Sequence, residues 1–406
     1  MPLFILVILV GVPVLTVVWW WWTDWRLRQL PRGWWRGGVR AAVAGFAVLF
    51  LAGFGWFVAG RVLQWPPGPL RGVPGSWWMA VIMLWGLIVL PFVALPVMAG
   101  TGVWGALAAV WRRMTRHPLP SPPPGGEGAG GCTRREVLGA AVAVAPMVLT
   151  LGATAAAIPQ KRRFRVRDLT VDVPGLPRAL DGMRIAHVSD SHVGKFTHGP
   201  VLTRIADAVN RLDADLVLFT GDLIDYTIAD LPEATAMLGQ LQRDRLFVVE
   251  GNHDLFDGRA AFEQGVRDAG IRLLLDESVT TYVRGWPVQL LGVAWHGRGD
   301  ERLAAHVARV AAKRDPDALP ILLAHHPHAF DAAVDHGLPL TLAGHTHGGQ
   351  LMLTRDFGAG PALFRYWSGL YRRRNARLVV SNGVGNWFPL RTAAPAEIVH
   401  LTLRCG

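Results

Sequence analysis

Cysteine is scarce in this sequence, with only Cys132 and Cys405 among 406 residues. The two lie far apart and on opposite sides of a change in composition, so a disulfide framework is not indicated. Zinc held by thiolates is not expected for the same reason, since such sites use several cysteines. Histidine is the commoner metal ligand, and thirteen of the fourteen histidines lie after residue 160. The chemistry should therefore be sought in that part of the chain.

Acidic residues are almost missing from the first part of the chain. Residues 1–160 carry 12 arginines and 3 acidic residues, whereas residues 161–406 carry 29 Lys and Arg against 27 acidic residues. The formal net charge of +11 therefore comes mostly from the first part. The nearly neutral second part does not favour an electrostatic grip on nucleic acid, and no nucleic-acid partner is expected.

Long uncharged runs fill the first part instead. Residues 1–22, 41–60 and 77–99 contain no charged residue, and each is long enough to cross the ~30 Å hydrocarbon core of a bilayer. Residues 137–158 form a fourth run that is rich in alanine. Tryptophans cluster at the ends of the runs, where aromatic belts lie in membrane proteins. The runs lack paired charges, which argues against a transporter with an ion pathway.

These runs predict the domain organisation. We expect three transmembrane helices in residues 1–117 and a Pro/Gly-rich linker with a twin arginine in residues 118–135. A fourth transmembrane or signal-anchor helix follows in residues 136–160, and a catalytic domain fills residues 161–406. A cleaved signal peptide at the start is disfavoured, because no basic segment precedes the first run.

The arginines between the runs predict the topology. They are concentrated in residues 23–40 and 112–135, which the positive-inside rule assigns to the cytoplasm. The catalytic domain would then lie on the extracytoplasmic side of a bacterial inner membrane. The basic run at residues 161–167 opposes this assignment. Arg134 and Arg135 resemble a twin-arginine export signal, and an ordinary basic stop beside a membrane span is the alternative interpretation.

The second part predicts an α/β domain. Several apolar runs are continuous, as expected for strands that are covered on both faces, and helix-like stretches separate them. The strand-like runs are 183–189, 216–220, 246–250, 288–294, 320–324, 338–343 and 378–382. Such domains place their ligand sites just beyond the carboxyl ends of the strands.

Carboxylate, amide and imidazole side chains follow five of these runs. The residues are Asp190 and His192, Asp222 and Asp225, Asn252, His253 and Asp254, His325, and finally His345 and His347. This mixture of donors suits divalent metals such as Mn, Fe or Zn. The donors are too many for one ion and numerous enough for two ions that share a carboxylate, an arrangement that supports in-line displacement at phosphorus.

In order, these blocks read Asp-x-His, Gly-Asp-x-x-Asp, Gly-Asn-His-Asp, His-x-Pro and Gly-His-Thr-His. The set resembles the calcineurin-like metallophosphoesterase family over about residues 180–400. The resemblance implies a four-layer sandwich of two mixed β-sheets flanked by helices.

The resemblance also implies residue roles. It implies a first metal ion held by Asp190, His192 and His347, and a second ion held by Asn252, His325 and His345. Asp222 would bridge the two ions. His253 would contact the phosphate and act as general acid, with Asp254 orienting it, while Asp225 would lie outside the ligand set.

The function that follows is a membrane-anchored phosphohydrolase with two divalent ions, Mn, Fe or Zn, that cleaves phosphodiester or pyrophosphate bonds by attack of a metal-bridging hydroxide. The segment from Val384 to Arg391 resembles a bacterial membrane-associated or exported branch, which makes a lipid-linked or envelope phosphate ester a candidate substrate. Two alternatives stay open. One is a nuclease or nucleotide phosphodiesterase of the same family, and the other is a non-catalytic membrane sensor or scaffold. The oligomeric state is not predicted.

Overall fold

A computed structural model describes residues 7–30, 34–62, 73–115, 134–157, 160, 163–297, 300–352, 354–388 and 390–406. The predicted linker lies almost wholly outside these residues. The chain divides into two compact units, Met1–Ala156 and Ala157–Gly406.

The first unit is helical in its described residues. Its helices are α1 (Val12–Arg28), α2 (Trp34–Val62), α3 (Val73–Leu84), α4 (Leu95–Thr115) and α5 (Arg134–Ala157), with a π-helical segment, Trp85–Ala94, between α3 and α4. Pro91 lies inside that segment and cannot donate a backbone hydrogen bond, which accounts for the local change of helix type. Aromatic rings pack between the helices, and the Trp85 Nε1–H donates to the Thr16 hydroxyl at 2.9 Å.

Three helical stretches of this unit are long and apolar enough to cross a membrane: Trp35–Trp56, Trp78–Trp104 and Val137–Ala157. Only 28–47% of the most apolar window of each stretch is buried, so much of each apolar surface faces outward. The three stretches overlap the second, third and fourth predicted spans. The first predicted span, residues 1–22, begins outside the described residues, and its helix continues to Arg28.

The second unit contains two six-stranded mixed sheets. The first sheet has the order β1 (Arg165–Val173), β12 (Glu397–Cys405), β2 (Arg184–Val188), β3 (Leu216–Thr220), β4 (Leu246–Val249), β5 (Arg272–Leu273). The second has the order β10 (Gly369–Arg373), β11 (Ala376–Val380), β9 (Leu340–Ala343), β8 (Leu319–Leu323), β7 (Trp286–Gly292), β6 (Glu277–Val283). Strands β2, β3 and β4 are parallel, as are β7, β8 and β9.

The sheets pack face to face and carry helices on their outer faces. Side chains such as Ile185, Leu218, Ile321 and Leu342 form one buried cluster between the two sheets. The first sheet is covered by α6 (Pro200–Arg211), α7 (Leu231–Leu238) and α8 (Arg259–Asp268). The second is covered by α9 (Asp300–Ala311) and α10 (Ala329–Asp335), and a short helix, α11 (Ala359–Leu363), follows β9. The predicted sandwich of two mixed sheets flanked by helices is thus confirmed.

Candidate metal centre

The predicted ligands lie in the loops that follow β2, β3, β4, β8 and β9. Because these strands are parallel within each sheet, their carboxyl ends bring the loops to one edge of the sandwich. Five of the loop residues have a left-handed backbone, with φ of 53° for Asp190, 43° for His192, 55° for Asp222, 73° for His345 and 50° for His347. Such values are uncommon outside glycine and concentrate at functional sites, where the surrounding structure holds them.

The first group of donors consists of Asp190, His192 and His347, all of them buried. The Nε2 atoms of the two imidazoles lie 3.0 Å apart. The His347 Nε2 lies 3.3 Å from the Asp190 Oδ1. One donor atom from each residue falls within 4.8 Å of the others, which is a spacing that a single ion can occupy.

The second group consists of Asp222, His325 and His345, which meet the same criterion. The His325 Nε2 lies 3.1 Å from the Asp222 Oδ2 and 3.1 Å from the His345 Nδ1. The other nitrogen of His325, Nδ1, lies 2.7 Å from the Thr220 carbonyl oxygen. That carbonyl accepts the Nδ1 proton, so Nε2 is the nitrogen directed at the centre.

Asp222 connects the two groups. Its Oδ2 lies 3.1 Å from the His325 Nε2 and 3.4 Å from the His192 Nε2, while its Oδ1 accepts the backbone N–H of His253 at 2.8 Å. A carboxylate between two sets of donors is the geometry that a shared ligand requires.

Asn252 supplies an independent sign that the site is built for a cation. Its side-chain oxygen is buried and has no hydrogen-bond partner. Buried polar atoms are nearly always paired, and a carboxamide oxygen is a suitable metal ligand. The orphaned oxygen and the mixed imidazole and carboxylate donors fit divalent metal ions.

The electrostatics of the centre favour positive charge. Burial lowers the pKa of an imidazole, but the Asp190 and Asp225 carboxylates outweigh burial and raise the pKa of His192 to about 10. Burial acts likewise on His325, yet the Asp222 carboxylate raises the pKa of His325 to about 9. The field that holds these protons would equally attract a divalent cation.

His253 lies beside this centre, with its ring edge-on to the ring of His192 at 4.5 Å. Its Nδ1 lies 2.6 Å from the Asp225 carbonyl oxygen and 3.4 Å from the Asp225 Oδ1. The contacts of the neighbouring Asp254 differ from the expectation that this residue orients His253. Its carboxylate accepts the backbone N–H groups of Ile224 and Gly251, at 2.9 and 2.8 Å, and thereby ties two ligand-bearing loops together. The residue positioned to orient His253 is Asp225.

Arg391 is a functional candidate to which the sequence assigned no contact. Its guanidinium is fully buried and donates at 2.6 Å to the side-chain oxygen of Asn386 and at 2.8 Å to the carbonyl of Asn382. A further nitrogen lies 2.8 Å from the His347 Nδ1. A lone arginine gives no sequence signal for burial, so only the fold could reveal that it supports a candidate ligand.

An aromatic rim surrounds His253, and the sequence did not reveal it either. It consists of Tyr226, Phe256 and Trp387, which are 54%, 53% and 41% exposed. The rings of Phe256 and Trp387 lie 4.7 and 5.9 Å from the His253 ring. Exposed aromatic rings next to a candidate catalytic residue can bind an apolar part of a ligand.

Three other histidines of the second unit fall outside the two donor groups. His187 is buried beside Thr220, with its Nε2 2.8 Å from the hydroxyl, as expected for a core histidine. The His198 Nδ1 lies 2.8 Å from the Gly194 carbonyl. The His328 Nδ1 lies 3.1 Å from the Asp300 carboxylate.

The sequence of this chain is similar to those of known proteins. A family profile described as calcineurin-like phosphoesterase matches residues 183–349. A zebrafish (Danio rerio) "transmembrane protein with metallophosphoesterase domain" is 31% identical over 68% of this chain and 64% of its own length. An "uncharacterized metallophosphoesterase" of Helicobacter pylori is 31% identical over 59% of this chain and 64% of its own length. The chain thus spans less than two thirds of the length of these relatives.

Among solved structures, the NAD nucleotidase of Haemophilus influenzae matches 50% of this chain and 50% of its own, with 13% identity and a TM-score of 0.34. Nothing further follows from a likeness at this level. The family profile and the curated relatives agree with the five sequence motifs and with the two-sheet fold. The second unit of this chain is therefore a calcineurin-like metallophosphoesterase domain.

Proposed function

We propose that this chain is a membrane-anchored phosphohydrolase that uses two divalent metal ions to cleave phosphodiester or pyrophosphate bonds. The observation that carries the proposal is the Asp222 carboxylate, which lies within 3.4 Å of an imidazole from each donor group. Asp190, His192 and His347 would hold one ion, and Asn252, His325 and His345 the other, with Asp222 shared. When bound, such a pair neutralises phosphate charge and lowers the pKa of water.

His253 is the proposed general acid. Its Nδ1 faces the Asp225 carbonyl, which accepts a proton from that nitrogen, so Nε2 is the nitrogen left to exchange a proton with the leaving oxygen. Asp225 holds the imidazole in this orientation. Asp254 acts by fixing the loops of Asp222 and Asn252, through the two backbone N–H groups that its carboxylate accepts.

The test uses the full chain in detergent, stripped of metal and then refilled with Mn²⁺, Fe²⁺ or Zn²⁺. Hydrolysis of bis(p-nitrophenyl) phosphate and p-nitrophenyl phosphate is measured beside metal content. We expect metal-dependent cleavage that falls at least about a hundredfold in Asp222→Asn and in His253→Ala, since each removes a group that acts on the transition state. Asp207→Asn removes an exposed carboxylate of α6 and should change nothing.

Metal content separates the outcomes. Asp222→Asn should lose metal together with activity, whereas His253→Ala should keep its metal and lose only activity. The chain could instead be folded and metal-loaded but cleave neither ester, no lipid pyrophosphate and no nucleotide. That result would reject the phosphohydrolase and favour a non-catalytic sensor or scaffold.

We further propose that the substrate carries an apolar group, as a lipid-linked phosphate or pyrophosphate does. The aromatic rim beside His253 and the apolar helices of the first unit support this. Phe256→Ser and Trp387→Ser should each lower kcat/KM for a long-chain lipid pyrophosphate about tenfold, because each removes apolar contact area. A short-chain analogue should be affected much less.

Tyr282→Ser is the matched control for the rim. Tyr282 is 72% exposed, but it lies on β6 outside the rim. Its loss should therefore leave kcat/KM for both substrates unchanged. If Phe256→Ser and Trp387→Ser lowered kcat/KM equally for the long-chain and short-chain substrates, the rim would not bind an apolar group. Fast cleavage of soluble nucleotides with no cleavage of lipid pyrophosphates would reject the lipid substrate and keep the phosphohydrolase.

A further inference from the structure

A second cluster of metal-ligating side chains shares no residue with the centre described above. It consists of Asp276, before β6, His296, after β7, and His306, on α9. The His296 Nε2 lies 2.9 Å and the His306 Nδ1 2.6 Å from the same oxygen, Oδ2 of Asp276. The two imidazole rings are nearly parallel, with centroids 3.4 Å apart and an interplanar angle of 13°.

We propose that Asp276, His296 and His306 bind an additional divalent metal ion of the zinc class. Their donor atoms lie within 4.8 Å of one another, and they come from three separate elements that converge on one point. Two imidazoles and one carboxylate suit Zn²⁺ and its neighbours, with water completing the coordination. Asp276 and His306 are each 16% exposed and His296 is 29% exposed, so water can reach the ion.

Hydrogen bonds alone are the competing explanation for this cluster. Asp276 Oδ2 could simply accept a proton from each imidazole, while its Oδ1 accepts the backbone N–H of Ala294 at 3.2 Å. The two explanations predict different responses to positive charge nearby. A hydrogen-bonded cluster tolerates a neighbouring cation, whereas a metal ion is repelled by it.

Two positive side chains adjoin the cluster. An Arg309 nitrogen lies 3.4 Å from the His306 Nδ1 and 3.7 Å from the Asp276 Oδ2, and Lys313 donates to the backbone carbonyl of Asp276 at 2.9 Å. Arg309 is 59% exposed, so it can turn into solvent when an ion enters. Its charge nevertheless weakens ion binding, and removing that charge should tighten it.

The position of the cluster suggests what the ion does. His296 directly follows Trp295, whose ring lies 5.3 Å from the ring of His345 and 5.6 Å from that of His325. The Trp295 backbone N–H donates to the buried Glu250 at 2.9 Å. An ion held by His296 would therefore fix the chain next to Trp295, whose ring lies beside two imidazoles of the principal metal centre.

Metal content tests the proposal without relying on activity. The untagged full chain in detergent is stripped with a chelator, dialysed against buffered Zn²⁺ and assayed for zinc per chain by mass spectrometry. His306→Gln and His296→Gln should each bind one zinc fewer than the wild type. His336→Gln removes an exposed imidazole at the end of α10 and should leave the zinc content unchanged.

A second background separates this site from the principal centre. A chain with Asp190→Ala, Asp222→Asn and His325→Ala, which removes a ligand from each donor group and the shared carboxylate, should retain one zinc, and adding His306→Gln should remove it. Arg309→Gln should lower the free Zn²⁺ needed for half occupancy of the site about tenfold, since it removes a neighbouring positive charge. Unchanged zinc content in His306→Gln and His296→Gln, with both variants folded by gel filtration, would show that the cluster is held by hydrogen bonds alone.

Discussion

At the scale of single residues, the centre depends on contacts that the motifs do not show. The types of donor residue and their order can be predicted from the sequence, because each donor block follows an apolar strand. The left-handed backbone of Asp190, Asp222 and His345 could not be predicted, because Asp and His tolerate positive φ more readily than most residues but do not require it. The contacts of Asp225 and Arg391 were equally hidden, because they depend on how distant loops meet in the folded chain.

Arg391 provides the prediction that belongs to this scale. Arg391→Met should destabilise the catalytic unit by about 2–4 kcal/mol, because several buried oxygens would lose their donor. It should also lower metal content, since the loop of His347 would lose the shared donor that joins its backbone carbonyl to Asn382 and Asn386. Arg391→Lys keeps the charge but not the forked geometry. Its stability and metal content should therefore lie between those of the wild type and of Arg391→Met. Pulse proteolysis in urea and metal analysis would measure both effects.

Arg374→Met is the control for Arg391. Its side chain is 72% exposed, and its loss should change stability by no more than about 0.5 kcal/mol. If Arg391→Met were as stable and as metal-rich as this control, Arg391 would have no role in positioning His347.

At the scale of elements, the strands with continuous apolar runs were predictable and the strands of mixed composition were not. Strands β3 and β8 are continuous apolar runs buried on both faces, and each was identified from its sequence. Strand β1, Arg165–Val173, mixes charged and apolar residues and is largely exposed at its start, so no continuous run marks it. Strand β5 has two residues, too few to give any pattern.

One buried carboxylate supports the pairing of β1 with β12. Glu397 is fully buried and lies 3.0 Å from a nitrogen of Arg165 and 2.9 Å from one of Arg167. Glu397→Gln should destabilise the catalytic unit by about 3 kcal/mol, because Arg167 would be left as a largely buried, unpaired charge. Asp168→Asn, at an 84% exposed position of the same strand, should cost less than about 1 kcal/mol. Similar urea midpoints for the two variants would contradict this.

His187 of β2 predicts a pH dependence. Complete burial lowers the pKa of His187 to about 3, whereas the unfolded chain has an ordinary imidazole near 6.5. Below pH 6.5 the unfolded state therefore binds a proton that the folded state does not, and stability falls as the pH falls toward 3. The loss amounts to about 1.4 kcal/mol per pH unit within that window.

The comparison that checks this uses His187→Gln, which cannot titrate. Between pH 6.5 and 5.0 the wild type should lose about 2 kcal/mol more than the variant, because the other titrating groups cancel in the difference. Equal losses in urea unfolding at the two pH values would mean that His187 is not held neutral.

At the scale of the whole molecule, the sequence predicts which side of the membrane each part occupies. The membrane runs follow from composition alone, and three helical stretches of suitable length and apolarity overlap three of them. Sidedness depends on charges in loops, including residues 116–133, which lie outside the described structure. It therefore stays a prediction that needs its own experiment.

The scarcity of cysteine provides that experiment. Cys132 is predicted on the cytoplasmic side, whereas Cys405, exposed at the end of β12, is predicted outside. A membrane-impermeant maleimide should label Cys405 in intact cells and Cys132 only after permeabilisation. The single variants Cys132→Ser and Cys405→Ser identify which residue reacts. Labelling in the opposite order would place the catalytic unit in the cytoplasm.

The position of β12 in the first sheet sets the order in which the protein can mature. Strand β1 pairs along its length with β12, which is made more than 220 residues later and lies between β1 and β2. Synthesis at about 5–20 residues per second separates the two strands by tens of seconds or less. During that interval the first sheet is incomplete, and Arg391, which lies just before β12, is not synthesised until the interval ends. The metal centre can therefore assemble only once nearly the entire catalytic unit has been synthesised. Metal binding must accordingly come late in the maturation of the protein.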